Sequence, residues 1–249
     1  REWRDRMAQY GMLVQFDGSP HKWFGEERST LLLAIDDATG KILSAEFFEW
    51  ETSFYAMKVI KELIDINGIP EAFYFDQAGL YGKVDRDFTS QISRALGMLN
   101  CRVHIASSPQ AKGRVERVFR TLQDRLVSEM RLRGIWDFFG ANEYLKTEFI
   151  PRFNAQFGVE PENPTLAYLT NVFGDLELAF CKKEQRKIGS GNVFSYENQL
   201  MIIEDKLSLE NRPVNINTHL DGSMSFDIMG RLVTVSKYRR NMKHLKTGT

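Results

Sequence analysis

Through the first 160 residues, short continuous apolar runs alternate with stretches of helical spacing. Met12-Leu13-Val14-Gln15-Phe16-Asp17 reads as a buried strand that ends on an acid, with Gly18-Ser19-Pro20-His21 as the turn after it. Leu31 to Ile35 predicts a second strand and Lys41 to Phe48 a third, and Asp36-Asp37-Ala38-Thr39-Gly40 supplies hairpin chemistry between them. From Thr52 to Asn67 the apolar positions Met57, Ile60, Leu63 and Ile64 fall on one helical face, with Thr52 as cap and Gly68 near the stop. Ala72-Phe73-Tyr74-Phe75 predicts a strand running into Asp76, followed by a loop, Gln77-Ala78-Gly79-Leu80-Tyr81-Gly82. Asp87 to Leu99 predicts a helix and Arg102 to Ile105 a further strand.

The next helix is expected to open at Ser108, an N-cap residue, with Pro109 at its first position. Val115, Val118, Phe119, Leu122 and Leu126 then form its apolar stripe. A last long helix is predicted from about Asn142 to Phe157, kinked at Pro151. This order predicts an α/β layer: a five-stranded mixed sheet with helices on both faces, over residues 11–160.

After Val159 the pattern changes. Residues 161–191 read as a helical and charged linker, with a short helix near Thr165 to Val172 and the polar run Lys182-Lys183-Glu184-Gln185-Arg186-Lys187. Residues 192–238 then alternate in short strands: Val193 to Tyr196, Leu200 to Ile203, Val214 to Asn217, Ser223 to Ile228 and Leu232 to Ser236. Asp221-Gly222 marks a hairpin. That predicts a small all-β barrel, with a basic tail at 239–249. Residues 1–10 read as a linker from a missing N-terminal region, because the chain starts at Arg1 and not Met.

Composition narrows the class. The 249 residues are 43% hydrophobic and 12% aromatic, enough for a substantial core. The two cysteines, Cys101 and Cys181, form no CxxC, which argues against a disulfide framework or a structural zinc site and fits a reducing, cytoplasmic compartment. No apolar run is long enough to span a membrane. Formal net charge is zero, yet Gln110 to Arg133 carries seven Lys/Arg against three Asp/Glu, and Ser236 to Thr249 five Lys/Arg and no acid. Local basic segments on a neutral chain fit a nucleic-acid footprint as well as plain solubility.

Three acids stand out by position. Asp17 ends the first predicted strand, Asp76 ends the strand after the first helix, and Glu116 lies early in the basic helix, one position off its apolar stripe. Each Asp alone is also an ordinary strand-end residue, and the basic helix alone is also an ordinary amphipathic helix. If the two strands are neighbours, their carboxylates emerge at one edge, and a helix packed across that edge brings Glu116 to them. Three such carboxylates need a cation, and hard oxygen ligands select Mg²⁺ or Mn²⁺. Two such ions suit in-line displacement at phosphorus. Lys112, Arg114, Arg117 and Arg120 are the candidate DNA contacts around Glu116. Asp36 and Asp37 read as hairpin-turn residues, Asp85 and Asp87 as helix caps, Glu46 and Glu49 as sheet-face charges, and His104 as a structural strand residue.

Leu13-Val14-Gln15-Phe16-Asp17-Gly18, Phe73-Tyr74-Phe75-Asp76 and Ser108-Pro109-Gln110-Ala111-Lys112-Gly113-Arg114-Val115-Glu116-Arg117 together resemble the catalytic core of the DDE transposase and retroviral integrase superfamily. The last block resembles integrase-core transposases of bacterial insertion sequences, and the C-terminal β segment is similar to the barrel that follows the core in phage Mu-like transposases. The resemblance implies a ribonuclease H-like core with Asp17, Asp76 and Glu116 as the metal-binding triad. It also implies about two Mg²⁺ (or Mn²⁺) ions per site, nicking of DNA ends followed by strand transfer, and assembly as a homo-oligomer on transposon-end and target DNA in a bacterial, nucleoid-associated setting. Gln77-Ala78-Gly79 departs from the small polar residue and glycine often found after the second acid. The alternatives are a ribonuclease H-like nuclease without strand transfer, or a catalytically silent DNA-binding relative.

Overall fold

Strand β2 (Ser29–Asp36) is buried at every position, as expected of a strand covered on both faces. It pairs antiparallel with β1 (Val14–His21) on one side and with β3 (Ile42–Phe48) on the other. Strands β4 (Ala72–Asp76) and β5 (Arg102–Ala106) run parallel to β1, which completes a five-stranded mixed sheet in the order β3-β2-β1-β4-β5. The computed structural model describes residues 5–76, 88–106, 113–169 and 175–238, without the side chains of 76, 88–90 and 106.

Strand β1 does not turn at Gly18 as the sequence suggests. Gly18, Ser19 and Pro20 continue the ladder opposite Leu32, Leu31 and Thr30. Pro20 is tolerated because the pairing of β1 with β4 involves only Val14 and Gln15, so its other side carries no ladder to interrupt.

Helices cover both faces. Helix α1 (Ser53–Asn67) is capped by Thr52, whose hydroxyl accepts from the Tyr55 N–H at 3.0 Å. It ends at Gly68, whose φ of +94° suits glycine. Helix α2 (Phe88–Met98) precedes β5. Helix α3 (Gly113–Leu132) closes with Gly134 at φ +68°: Ile135 N–H bonds Met130 O and Gly134 N–H bonds Arg131 O, a Schellman ending. Leu31, Leu33 and Ile35 of β2 share a core with Val115, Phe119, Leu122, Leu126 and Met130 of α3.

The last helical stretch begins at Phe138, four residues before the predicted start, because Asp137 caps it through Gly140 N–H at 2.8 Å. It runs as α4 (Phe138–Tyr144), a π-helical segment Leu145–Phe149, and α5 (Ile150–Phe157). Near the predicted kink, the widened turn lies just before Pro151, where proline removes a donor and crowds the preceding carbonyl. This stretch seals the β3 edge. The Asn142 carboxamide accepts from Phe47 N–H and donates to Phe47 O, and Asn154 does the same at Ile42.

The helix predicted near Thr165 is absent from the described part of that stretch. Residues 165–168 carry no regular structure, and Leu169 exchanges two backbone hydrogen bonds with Ile69, each 2.9 Å. A Cβ at Gly68 would lie 2.9 Å from Leu169 O, so glycine makes this approach feasible. A short α6 (Leu176–Ala179) ends the first compact unit at Phe180.

The second unit starts at Cys181. The charged run read as linker is its first strand, β6 (Lys182–Lys187). Lys183, Glu184 and Arg186 are half-buried there, which a count of charges does not reveal. Strands β7 (Val193–Tyr196), β8 (Gln199–Ile203), β9 (Pro213–Thr218), β10 (Met224–Ile228), β11 (Arg231–Leu232) and β12 (Val235–Lys237) follow. They form two sheets, β11-β10-β9-β6 and β12-β8-β7, around one core of Ile188, Phe194, Met201, Ile203, Val214, Ile216 and Ile228. The chain crosses between them at Val233 and Thr234, which bond Phe226 and Glu204. Among the described residues no strand of one sheet pairs with a strand of the other, so closure of the expected small barrel is not seen there.

Candidate active site

In β1, alternate side chains point to one face. Gln15 and Ser19 both meet the side of the sheet covered by α3. Gln15 donates to Asp37 Oδ1 at 2.6 Å, the oxygen that also accepts from Arg114 at 2.8 Å, and Ser19 accepts from Gln123 at 3.0 Å. Asp17 lies between them in the same alternation, opposite Leu33 of the α3 core, and so faces α3. It is half-buried. The two anchor points also set the direction of the helix. Arg114 to Gln123 spans about 13 Å of helix rise, and Gln15 to Ser19 about 13 Å of strand, so α3 runs alongside β1 in the same sense.

Glu116 and Gln123 are two turns apart and occupy the same flank of α3. Because Gln123 reaches β1, that flank leans toward β1. Glu116 is exposed there, with Arg120 one turn further on. Glu116 and Asp17 therefore belong to the same junction of helix and sheet.

Asp76 ends β4. Val14 pairs with Phe73 and Gln15 with Tyr74, an offset of 59 residues. Asp17 and Asp76 differ by the same 59, although the pairing of the two strands itself ends at Gln15 and Tyr74. The side chain of Asp76 lies outside the described residues, as do Ser108, Pro109, Lys112, the loop from Gln77 to Gly82, Asp85, Asp87 and the tail 239–249. Among the described residues no three His, Cys, Asp or Glu side chains form a group that could hold a metal ion.

The remaining basic candidates divide. Arg117 is exposed, and Arg114 is largely buried against Asp37. Both occupy the opposite flank of α3 from Glu116, where they line a cavity with Arg6.

The acids with the most definite structural work are Asp36 and Asp37, both fully buried. Asp36 accepts from Gly11 N–H, Thr39 N–H and the Thr39 hydroxyl, and burial pushes its carboxyl above the usual carboxylate range despite these donors. Asp37 accepts from Met7 N–H, Gln15 and Arg114. The hairpin reading located both residues but missed that they anchor the N-terminal segment and α3. Glu46 likewise is a buried network residue, bound by Lys58 and Lys146. His104 is exposed on β5. Glu51 lies over Gly18, where a Cβ would fall 2.7 Å from its Oε2, on the face that Gly18 shares with Leu32 and away from Asp17.

No family model matches the chain. It is 38% identical over 234 residues to the transposase-like protein y4bF of Sinorhizobium fredii, an alignment covering 89% of this chain and 51% of that protein. It is 35% identical over 206 residues to the transposase for insertion sequence IS1202 of Streptococcus pneumoniae, covering 80% of this chain and 44% of the relative. The chain thus spans about half the length of the curated relatives it matches. Among solved structures it resembles a chain of the simian T-cell lymphotropic virus intasome in complex with PP2A regulatory subunit B56 gamma. The TM-score is 0.50 and the identity 16%, with 93% of this chain and 80% of that one covered, a likeness of fold. Among the described residues no helix is long and apolar enough to cross a membrane. The five-stranded mixed sheet with its flanking helices is that of a ribonuclease H-like integrase core, and the chain is homologous to bacterial transposases over most of its length.

Proposed function

We propose that this chain is the catalytic part of a DDE-type transposase, which nicks DNA at an element end and joins the freed 3′-OH to a target strand. The observation that carries this reading is the shared offset of 59: the β1–β4 register and the Asp17–Asp76 separation agree, while Glu116 occupies the α3 flank that leans on β1. The donor set is all carboxylate, which fits Mg²⁺ or Mn²⁺ and not a soft metal. Asp17, Asp76 and Glu116 would hold the ions, about two per site. When bound, the ions would supply charge neutralisation at the attacking and leaving oxygens of an in-line displacement.

The chain's own contribution is positional. Asp17 is fixed by a ladder on β2, and Glu116 by the apolar stripe beside it, which holds the start of α3 against the sheet. Arg120, one turn on, would hold a substrate phosphate without competing for metal. Lys112 would be a second such contact. The second unit would bind DNA backbone, and joining two ends calls for a homo-oligomer assembled on DNA.

The test is strand transfer: pre-nicked end DNA and target plasmid with Mn²⁺, comparing wild type with Glu116→Gln. Joined product from wild type alone supports the proposal. Cleavage without joining points to a nuclease, and binding with neither reaction to a silent relative.

A further inference from the structure

Strand β2 places Ser29 on the face that carries Leu31, Leu33 and Ile35 into the α3 core. Ser29 is 4% exposed, and its hydroxyl has no hydrogen-bond partner among the described residues. It lines a cavity of about 500 Å³, a size typical of ligand sites. Phe24 and Phe138 line it as well; they pack on that core and meet edge to face at 5.1 Å. So do Trp50, which follows β3, and Trp136, between α3 and α4. These two indoles are 58% and 55% exposed, although tryptophan is on average highly buried.

Four acids line the same cavity, Glu26, Glu27, Glu49 and Asp137, against one cation, Arg28. Lys22 engages Glu26, and Asp137 caps α4. Glu27 and Glu49 have no cationic partner among the described residues. From Glu116 to Leu132, α3 rises about 24 Å, and Trp136 follows that far end. The cavity is therefore separate from the candidate active site. A DNA strand does not suit it, because its carboxylates repel phosphates. A guanidinium does: it is planar, stacks on an indole, forks into carboxylates, and has further N–H groups for the Ser29 hydroxyl. Leu132 and Phe139, on either side of Trp136 in the chain, are 87% and 81% exposed. That is more apolar surface than one free cation covers, and such surface rimmed by polar groups marks a protein contact.

We propose that this cavity docks an arginine-bearing peptide segment of another protein chain, with Trp50 and Trp136 as stacking surfaces and Glu27 and Glu49 as counter-charges. The inference rests on the cavity and not on the phosphoryl-transfer reading. The probe is fluorescein-labelled nona-arginine, with nona-lysine as a peptide of equal charge. Binding to the whole chain is followed by fluorescence anisotropy at about 0.15 M salt, without DNA. Trp50→Ala and Trp136→Ala change no charge, and the double variant Glu27→Gln, Glu49→Gln removes two. All four positions are exposed, so melting temperatures should stay at the wild-type value. Each tryptophan variant is expected to weaken nona-arginine about 5-fold, and the double variant about as much. Ser29→Ala should weaken it about 10-fold. Nona-lysine should bind the wild type more weakly than nona-arginine. Nona-arginine affinity that neither tryptophan variant changes overturns the proposal, because the acids then act only as bulk charge. Equal affinity for the two peptides overturns it too. So does spermine that displaces the probe as well as unlabelled nona-arginine at equal total charge, since the cavity then takes small polyamines. None of these readouts uses DNA or turnover, so failure of Glu116→Gln to abolish joining would count against the transposase reading separately.

Discussion

Two sets of acids lie along β1, one beside its start and one near its middle, and they differ in how the protein treats them. At its start, Asp36 and Asp37 are fully buried, and donors from the N-terminal segment, the hairpin and α3 converge on them. Further along, Asp17 is half-buried and Glu116 exposed, on elements that the fold brings together without covering them. Buried carboxylates surrounded by protein donors serve the fold, because desolvation makes any other arrangement costly. A carboxylate open to solvent, as that of Glu116 is, can meet an arriving ligand without that desolvation cost. Burial, more than the element an acid sits on, thus separates the two sets.

That contrast can be broken in four places. The largest effect is expected at the open acids: Asp17→Asn and Glu116→Gln should each lower strand transfer by ~10³-fold or more, about 4 kcal/mol of barrier, with little change in melting temperature. A variant that loses activity only in proportion to its folded fraction would put that acid in the structural class. Next comes Asp37→Ala, which strands Arg114 and two further donors. Breaking one side of a buried pair costs about 3–5 kcal/mol, and urea unfolding should show this as a lower midpoint at unchanged slope.

Smaller again are the two asparagine clamps on β3. Asn142→Ala and Asn154→Ala should each cost about 1–3 kcal/mol for edge groups left without their partner. The double variant should be close to additive in chemical denaturation, because the two clamps act on separate peptide groups. The smallest effect concerns Asp36. Its folded pKa is raised by burial, so the folded state binds the proton more tightly than the unfolded chain. That contribution is fully present below the unfolded value of about 3.9 and is lost as pH rises through the folded value. Unfolding free energy should therefore fall with pH across that window, and this component of the slope should vanish in Asp36→Asn. A wild-type slope of opposite sign that Asp36→Asn removes would show that the donors outweigh burial.

Much of the core was legible because its signals are local. Thr52 caps α1, the β2–β3 turn lies where Asp36 to Gly40 suggests, and the α3 stripe is the one read from Val115 to Leu126. What stayed hidden depends on partners distant in sequence. The length of β1 past Asp17 is set by the ladder on β2, and the extended course at Leu169 by an exchange with Ile69. β6 reads as a polar run because pairing with β9, and not apolar content, makes it a strand. For the site, sequence picked out Asp17, Asp76 and Glu116; Asp17 lies half-buried on β1 and Glu116 exposed on α3, while the side chain of Asp76 lies outside the described residues. The division of the basic residues was not read, since helical spacing alone does not say which flank faces β1. The Asn142 and Asn154 clamps left no sequence signal, because an asparagine on a helix is ordinarily a surface residue.

Those clamps also set a timetable. Phe47 and Asn142 are 95 residues apart, and Ile42 and Asn154 are 112 apart. At a synthesis rate of about 5–20 residues per second, β3 leaves the ribosome roughly 5–20 s before its seal exists. During that interval its outer peptide groups are a template for any other extended chain. Polysomes bring many such nascent edges together, so the span between β3 and α5 is where crowding during translation would divert this protein into aggregates. Slower initiation or an early-binding chaperone would rescue its yield more effectively than any change to the finished fold.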